Sequence, residues 1–423
     1  MSEPHQLRRE LGVLPATLLG LGSILGTGIF VSIGLGAAAA GAAVLPAVVV
    51  AALVATCNGL SSAQLAARHP VSGGTYEYGH RELTPLLGFT AGWMFLSAKS
   101  ASAAAAALGF AGYTLAVIEH DGGAGILVPL ALGAVVILTV LTAGGIRRSS
   151  QVNTLIVTLT IGALTTFVLS GWETAWRHAA DNLSFSTATP KDFLEAAALM
   201  FVAFTGYGRV ATLGEEVRAP RRTIPIAIIT TLATSMAIYV VVTLVAVASS
   251  GAPALADATG GAVAPLAVLA RGFAAPWVAW VVAAGAVTAM LGVLLNLLLG
   301  LSRVLLAMAR RGDAPKPLAT VIDGVTPRAA VITIGVVIAC LVLIGDIGIT
   351  WSFSAFTVLI YYAITNLAAL ALPADARFVP RWVAMIGLLG CLGLAFWVEP
   401  RAWIAGLVVL AIGHGLRLLF RRG

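Results

Sequence analysis

Runs of about twenty apolar residues, each closed by a short polar or basic segment, recur along the whole chain, and no other feature restricts its fold so tightly. A helix rising ~1.5 Å per residue needs ~20 such residues to cross the hydrocarbon layer of a bilayer. Twelve runs are read, at 12–38, 42–66, 86–118, 125–145, 151–171, 193–217, 224–249, 276–308, 328–344, 347–371, 381–398 and 401–419. In hydrocarbon, every backbone N–H and C=O must be satisfied within the protein, so runs of this length are helices. The expected fold class is an all-α polytopic membrane protein with 12 transmembrane helices, forming one transmembrane domain over 1–423. The third and eighth runs are long and call for tilt or extension beyond the membrane. The segment 251–273 is expected to form an outer loop with a short helix.

Charge supports the same reading. Only 10% of residues are charged and 59% are hydrophobic, whereas a soluble domain carries roughly 25% charged residues. The net charge of +7 does not indicate a nucleic-acid partner, because the basic residues lie in short clusters between apolar runs. With the N-terminus inside, 19 of the 25 Lys and Arg residues fall in inner segments and 4 in outer ones; Lys99 and Arg209 lie within the membrane. That asymmetry predicts both termini cytoplasmic and a location in the cell (inner or plasma) membrane. Met1 to Glu10 is polar and short, with no cleavable signal expected, so the first apolar run should be retained as a span. Cys57, Cys340 and Cys391 sit inside apolar runs without metal-ligand spacing. No metal, cofactor or obligatory protein partner is expected.

Two spans are interrupted. The first reads Leu19-Gly20-Leu21-Gly22-Ser23-Ile24-Leu25-Gly26-Thr27-Gly28-Ile29-Phe30. Each glycine costs up to ~1 kcal/mol against alanine in a helix interior. Four in nine residues imply an unwound stretch, or else a seam of small residues for close packing. The sixth span carries the matching feature, Phe201-Val202-Ala203-Phe204-Thr205-Gly206-Tyr207-Gly208-Arg209. Each interrupted span opens a set of five, and paired breaks in two halves point to a ligand site at an inverted-repeat interface. The halves are expected at 11–172 and 193–372, with additional helices 11 and 12 at 380–420. A half-helix starting near Gly26 presents free N–H groups and a positive dipole end, suited to a carboxylate. Unwound carbonyls around Ala203 to Gly206 suit an ammonium group. The candidate substrate-binding residues are therefore Ser23, Ile24, Gly26, Thr27, Gly28, Ala203, Phe204, Thr205 and Gly206. Phe30, Phe201 and Tyr207 are candidates for an aromatic gate, and packing is the alternative for each.

At these residues the chain resembles the amino acid–polyamine–organocation permeases. Gly22 to Phe30 is similar to that family's glycine-rich first helix, and His69-Pro70-Val71-Ser72-Gly73-Gly74-Thr75-Tyr76-Glu77-Tyr78 to its first cytoplasmic loop. Glu215-Glu216-Val217-Arg218-Ala219-Pro220-Arg221-Arg222-Thr223-Ile224-Pro225 resembles its sixth-to-seventh connection, and Ser302 to Gly312 the end of its eighth helix. The resemblance implies a LeuT-type fold of ten core helices in a 5+5 inverted repeat plus two, with helices 1 and 6 broken, and alternating-access transport of amino acids. It does not name the substrate. The chain also departs from the pattern. Thr160 stands where some members carry a lysine in the fifth span, Gly208 and Arg209 where some carry an acidic residue, and Val202 or a neighbour where some carry a tryptophan.

Lys99 and Arg209 are candidate coupling residues. A charge near mid-depth costs at least ~2.5–3.5 kcal/mol on insertion scales, so Lys99 needs a reason to be there. It could replace a coupling sodium, respond to protons, bind an acidic side chain of the substrate, or pack between helices. Arg209 can reach toward Glu215 and Glu216. With nothing acidic in either break, neutral amino acids are the first expected substrates and acidic ones the second. Transport is expected to be sodium-independent, with protons as the alternative coupling ion and lipid as the surrounding partner. An exchanger or exporter, or a passive channel of similar architecture, are the competing readings. No catalytic motif is present, and the six histidines lie outside the mid-membrane core, which disfavours an enzyme and a histidine proton relay.

Overall fold

The computed structural model describes residues 11–69, 73–118, 124–145, 150–185, 188–211, 217–321 and 326–420. Among them the chain is helical throughout, apart from one isolated bridge pairing Leu11 with Val217. Nine helical stretches among these residues are long and apolar enough to cross a membrane, with Val13–Ile24, Arg328–Val342 and Arg381–Ala395 as shorter apolar helices. The chain folds as a multi-pass membrane protein.

The first apolar run is broken. Helix α1 (Val13–Ile24) stops where Leu25 turns extended, with ψ 93°. The chain re-enters helical geometry through a π turn at Gly28–Ser32 and continues as α2 (Ile33–Ala40). Gly41, at φ 57°, turns the corner into α3 (Val44–Arg68); a residue with a side chain is strained at that angle. A short helix α4 (Thr75–Glu82) leads into α5 (Pro85–Val117), which is 33 residues long as its apolar run requires. Next come α6 (Ala124–Ala143) and α7 (Ser150–Asn182). Helix α7 continues well past the expected end at 171, because Glu173, Arg177 and His178 end the apolar run without ending the helix.

The sixth run is also interrupted. Helix α8 (Pro190–Phe204) begins with a capping box in which Thr189 and Asp192 satisfy each other's backbone N–H groups. It gives way to a 3₁₀ turn at Thr205–Tyr207 and then to the single turn α9 (Gly208–Ala211). Glu215 and Glu216, the expected reach of Arg209, lie outside the described residues. Helix α10 (Pro220–Ser250) follows. The segment after it holds two short helices rather than the expected one, α11 (Ala252–Ala262) and α12 (Pro265–Ala270). Helices α13 (Trp277–Arg310), α14 (Arg328–Val342), α15 (Ile347–Ala371), α16 (Arg381–Ala395) and α17 (Pro400–Phe420) complete the chain.

Burial separates these helices into a core and a periphery. The apolar windows of α5 and α15 are 78% buried, against 22% for α6 and 17% for α17. Ala98, Ala101 and Ala103 to Ala107 of α5 are fully buried, and such small residues allow helices to approach closely in lipid. Gly92 packs against Tyr76 and Met308, and Gly109 against Met290. The core thus gathers around α5, α13 and α15, and the two broken helices lie against it.

Candidate functional site

The two breaks touch each other. A Cβ on Gly206 would lie 2.3 Å from the Ser23 carbonyl oxygen, and one on Gly28 would lie 2.8 Å from the Ala203 methyl. Both positions are glycine because the two broken segments meet there without room for a side chain. The Tyr239 hydroxyl of α10 bridges the same joint, 2.9 Å from the Ile24 carbonyl and 3.3 Å from that of Ala203. The Tyr362 hydroxyl of α15 donates to the Thr205 carbonyl at 3.2 Å. Two tyrosines from neighbouring helices therefore satisfy carbonyls that the breaks release from helical bonding.

A cavity of about 450 Å³ opens at this joint. Ser23, Ile24, Thr27, Gly28, Ala203, Thr205 and Gly206 line it, with Lys99 and Arg209. The N–H groups of Gly26 and Thr27 find no backbone acceptor among the described residues. The Thr27 hydroxyl is buried without a partner among them. The Lys99 ammonium, on a side chain buried in the cavity wall, donates to the Thr205 hydroxyl at 2.6 Å, which donates on to the Val202 carbonyl at 2.6 Å. Thr205 also closes the C-terminal end of α8, where the helix dipole favours a cation. No aspartate or glutamate lines the cavity among the described residues, whereas Lys99, Arg209 and Arg303 do.

Five of the expected residues stay out of the cavity lining. Gly26 faces α13, where an added Cβ would sit 2.6 Å from the Val293 side chain. Phe204 packs on Tyr239, Phe201 sets its edge against Tyr362, and Tyr207 tilts onto Tyr362. Phe30 meets Tyr113 edge to face, with centroids 5.7 Å apart. Of these aromatics only Tyr207 lies within the 3₁₀ turn, where residues per turn fall from 3.6 to 3.0; Phe201 and Phe204 belong to regular α8 and point to its other faces. Thr160 bonds back to the Ile156 carbonyl within α7.

The structure adds residues that the sequence did not single out. Trp351 and Tyr361 enter from α15, Phe95 and Ser102 from α5, and Asn296 and Arg303 from α13. Arg303, inside the eighth apolar run at 276–308, thus belongs to the cavity wall. The Trp351 indole N–H donates to the Leu199 carbonyl at 2.9 Å. Gly73, Gly74 and Tyr76 carry the lining to the α4 end of the molecule. The 69–78 and 302–312 motifs did point to this wall, but as family signatures without assigned roles.

Charges hold the α4 end together. Glu77 accepts from Arg311 at 3.0 and 2.6 Å. Asp313 accepts from Tyr76 at 2.9 Å and Arg417 at 3.0 Å, with His80 at 3.4 Å. Burial alone would raise the Asp313 carboxyl, but hydrogen bonds from His80, Arg417 and Tyr76 outweigh it and hold it down at about 2. Neutral groups tie the opposite end. The Tyr113 hydroxyl donates to the Phe30 carbonyl at 2.7 Å and accepts from the Leu266 N–H at 3.2 Å.

Residues 11–412 match the amino acid permease family. The chain belongs to that family, within the amino acid–polyamine–organocation superfamily. An uncharacterized transporter of Mycobacterium tuberculosis is 41% identical over 426 residues, covering 99% of this chain and 93% of the relative. A branched-chain amino acid permease of Bacillus subtilis is 32% identical over 342 residues, covering 76% of this chain and 71% of the relative. The crystal structure of MhsT in complex with L-phenylalanine superposes with a TM-score of 0.62 at 18% identity, covering 96% of this permease and 99% of MhsT. At that identity the likeness concerns the fold alone, which is LeuT-like and all-helical.

Proposed function

We propose that this permease is a secondary active transporter that carries amino acids across the cytoplasmic membrane by alternating access, with neutral amino acids preferred. One observation carries the reading. The cavity sits where two broken helices meet, bounded by unpaired N–H groups and a buried, unpartnered Thr27 hydroxyl on one side and by basic rather than acidic side chains elsewhere, among the described residues. A zwitterion has both poles met there, its carboxylate by helix-1 N–H groups and its ammonium by helix-6 carbonyls. A second positive charge would face Lys99 and Arg303 with no carboxylate among the described lining residues to receive it. The relatives' names do not decide the substrate: one is named for branched-chain amino acids, whereas a human relative 30% identical is named a cationic amino acid transporter, so the preference rests on the charges of the cavity.

The same reading takes the chain as twelve spans in a 5+5 inverted repeat plus two, with both termini and the α4 end cytoplasmic. Lys99 supplies a built-in positive charge beside the site and so replaces a coupling sodium, leaving protons as the coupling ion. The test is counterflow in proteoliposomes with alanine, leucine, phenylalanine, glutamate and lysine, with and without sodium and a pH gradient. Saturable exchange of the neutral amino acids, unchanged by replacing sodium with choline and raised by an inward proton gradient, is the expected result. Non-saturable flux would indicate a channel. Saturable exchange of lysine alone, or a sodium requirement, would overturn the substrate or coupling assignment.

A further inference from the structure

We infer that Lys99 is the specificity residue for the substrate's α-carboxylate, and that Thr205 occupies its ammonium only while the site is empty. The inference rests on the amino acid transport proposed above and goes beyond it. There the carboxylate is met by backbone alone and Lys99 acts as a coupling charge. Here Lys99 binds the substrate directly.

The argument starts from an imbalance. Lys99 is 7% exposed, and its polar partner is a neutral hydroxyl. A buried ammonium without an anion is under-compensated, and an anion brought to it gains more than it would in water. No carboxylate of the protein lines the cavity among the described residues, so the substrate is the source of one. The position is also suitable. Thr205 precedes Gly206, the residue pressed against the Ser23 carbonyl, so the Lys99 ammonium lies beside the joint of the two breaks. The unpartnered Thr27 hydroxyl and the Gly26 and Thr27 N–H groups belong to the other half of that joint. A carboxylate there has two oxygens to share between the first helix and the lysine.

Thr205 makes a second point. Its hydroxyl already donates to the Val202 carbonyl, so it can only accept from Lys99. A carboxylate is the stronger acceptor and displaces it. In the empty carrier Lys99 therefore ties α5 to the break between α8 and α9, and substrate releases that tie. Phe95, Trp351 and Tyr361 bound the rest of the cavity and suit an apolar side chain.

The test is competition against L-leucine counterflow in proteoliposomes. The competitors are leucine, leucinamide, which keeps the ammonium and lacks the carboxylate, and 4-methylpentanoate, which keeps the carboxylate and lacks the ammonium. The wild type should favour leucine over leucinamide by at least 100-fold. In Lys99→Met that preference should fall below 10-fold, through a weaker half-saturation for leucine with little change for leucinamide. Lys99→Arg should keep most of the preference. Thr205→Val should tighten leucine 2- to 5-fold, because the competing acceptor is gone. Equal losses for leucine and leucinamide in Lys99→Met, or weaker leucine binding in Thr205→Val, would show Lys99 to be a packing residue and overturn the inference. Competition by 4-methylpentanoate that is undiminished in Lys99→Met, with leucinamide competing better there than in the wild type, would place Lys99 at the ammonium's position and overturn it too. Absence of any leucine counterflow in the wild type would instead refute leucine transport, the reading on which the inference stands.

Discussion

The two ends of the helix bundle, on either side of the cavity, are held together by different chemistry. At the α12 end the closure is neutral, an aromatic edge contact between Phe30 and Tyr113 with one hydroxyl serving two backbone groups. At the α4 end it is ionic, with Glu77 on Arg311 and Asp313 among Tyr76, His80 and Arg417. Neutral hydrogen bonds and ring contacts are worth about 1 kcal/mol each and ignore salt and pH. Ion pairs are expensive to break singly when buried and weak when exposed. The two ends should therefore answer differently to substitution, salt and acid.

The largest expected effect is at Asp313. Its side chain and that of Arg417 are both buried, and removing one leaves the other uncompensated. Asp313→Ala should lower stability by about 3–5 kcal/mol, measured as thermal unfolding of the purified protein in detergent. Adding Arg417→Leu should restore part of the loss. The pH dependence follows from the sign of the shift. A carboxyl held down at about 2 contributes stability that is fully present above the ordinary carboxylate range and lost only as pH falls toward 2. Between pH 5 and 8 the Asp313 carboxylate should therefore stay charged, and its contribution to thermal stability should be constant over that range.

Next comes Gly206, the joint between the ends. An alanine methyl there would meet the Ser23 carbonyl oxygen and carbon at 2.3 and 2.5 Å, and backbone cannot swing aside as a flexible side chain can. Overpacking of this kind costs about 1–3 kcal/mol. It should abolish leucine counterflow while most of the protein still folds. Gly208→Ala, where the nearest atom is the Tyr362 hydroxyl at 3.2 Å, should keep measurable transport. If Gly206→Ala transports normally, the close apposition of the breaks is not a requirement.

The two breaks were legible in the sequence because glycines clustered in an apolar run weaken a helix just where lipid demands one. The architecture around them was legible because spans are long and hydropathy is a strong signal. Where hydropathy failed, it failed physically. It reports solvent rather than backbone, so α7 continues through Glu173 and Arg177 beyond the apolar run. The far wall of the cavity was less legible. Trp351 and Tyr361 come from α15, whose sequence holds several aromatic residues and no glycine interruption to mark the ones that face the breaks. Phe201, Phe204 and Tyr207 adjoin the lining residues in sequence, yet they pack on tyrosines of α10 and α15, because successive residues of a helix face different directions and adjacency in sequence does not put a side chain on the cavity face.

Tyr113→Phe tests the neutral end. It removes a donor to the Phe30 carbonyl and an acceptor for the Leu266 N–H while keeping the ring contact. A loss of about 1 kcal/mol is expected, with no dependence on salt. A cysteine placed at Phe30 should become more reactive to a membrane-impermeant thiol reagent added outside. Unchanged labelling would mean that ring packing alone closes this end.

The smallest expected effect is at Glu77, and it sharpens the contrast between the ends. The Arg311 side chain is 41% exposed and that of Glu77 10%, so water competes for one partner and the pair is worth about 1 kcal/mol or less despite its two-pronged geometry. Glu77→Gln keeps the shape and an acceptor oxygen and loses the charge. Wild type and Glu77→Gln should therefore differ in thermal stability at about 0.1 M KCl and converge at about 1 M, where screening acts over about 3 Å rather than about 10 Å. Tyr113→Phe should keep a constant gap from wild type over the same range, and so should Asp313→Ala, whose partners are shielded from ions by burial. Transport should follow the same order. If Glu77–Arg311 restrains the α4 end, Glu77→Gln should speed leucine exchange at low salt and match wild type at high salt. A Glu77→Gln defect that persists at high salt would mean that Glu77 acts through its hydrogen bonds to Arg311, and the ionic description of this end would then apply to Asp313 alone.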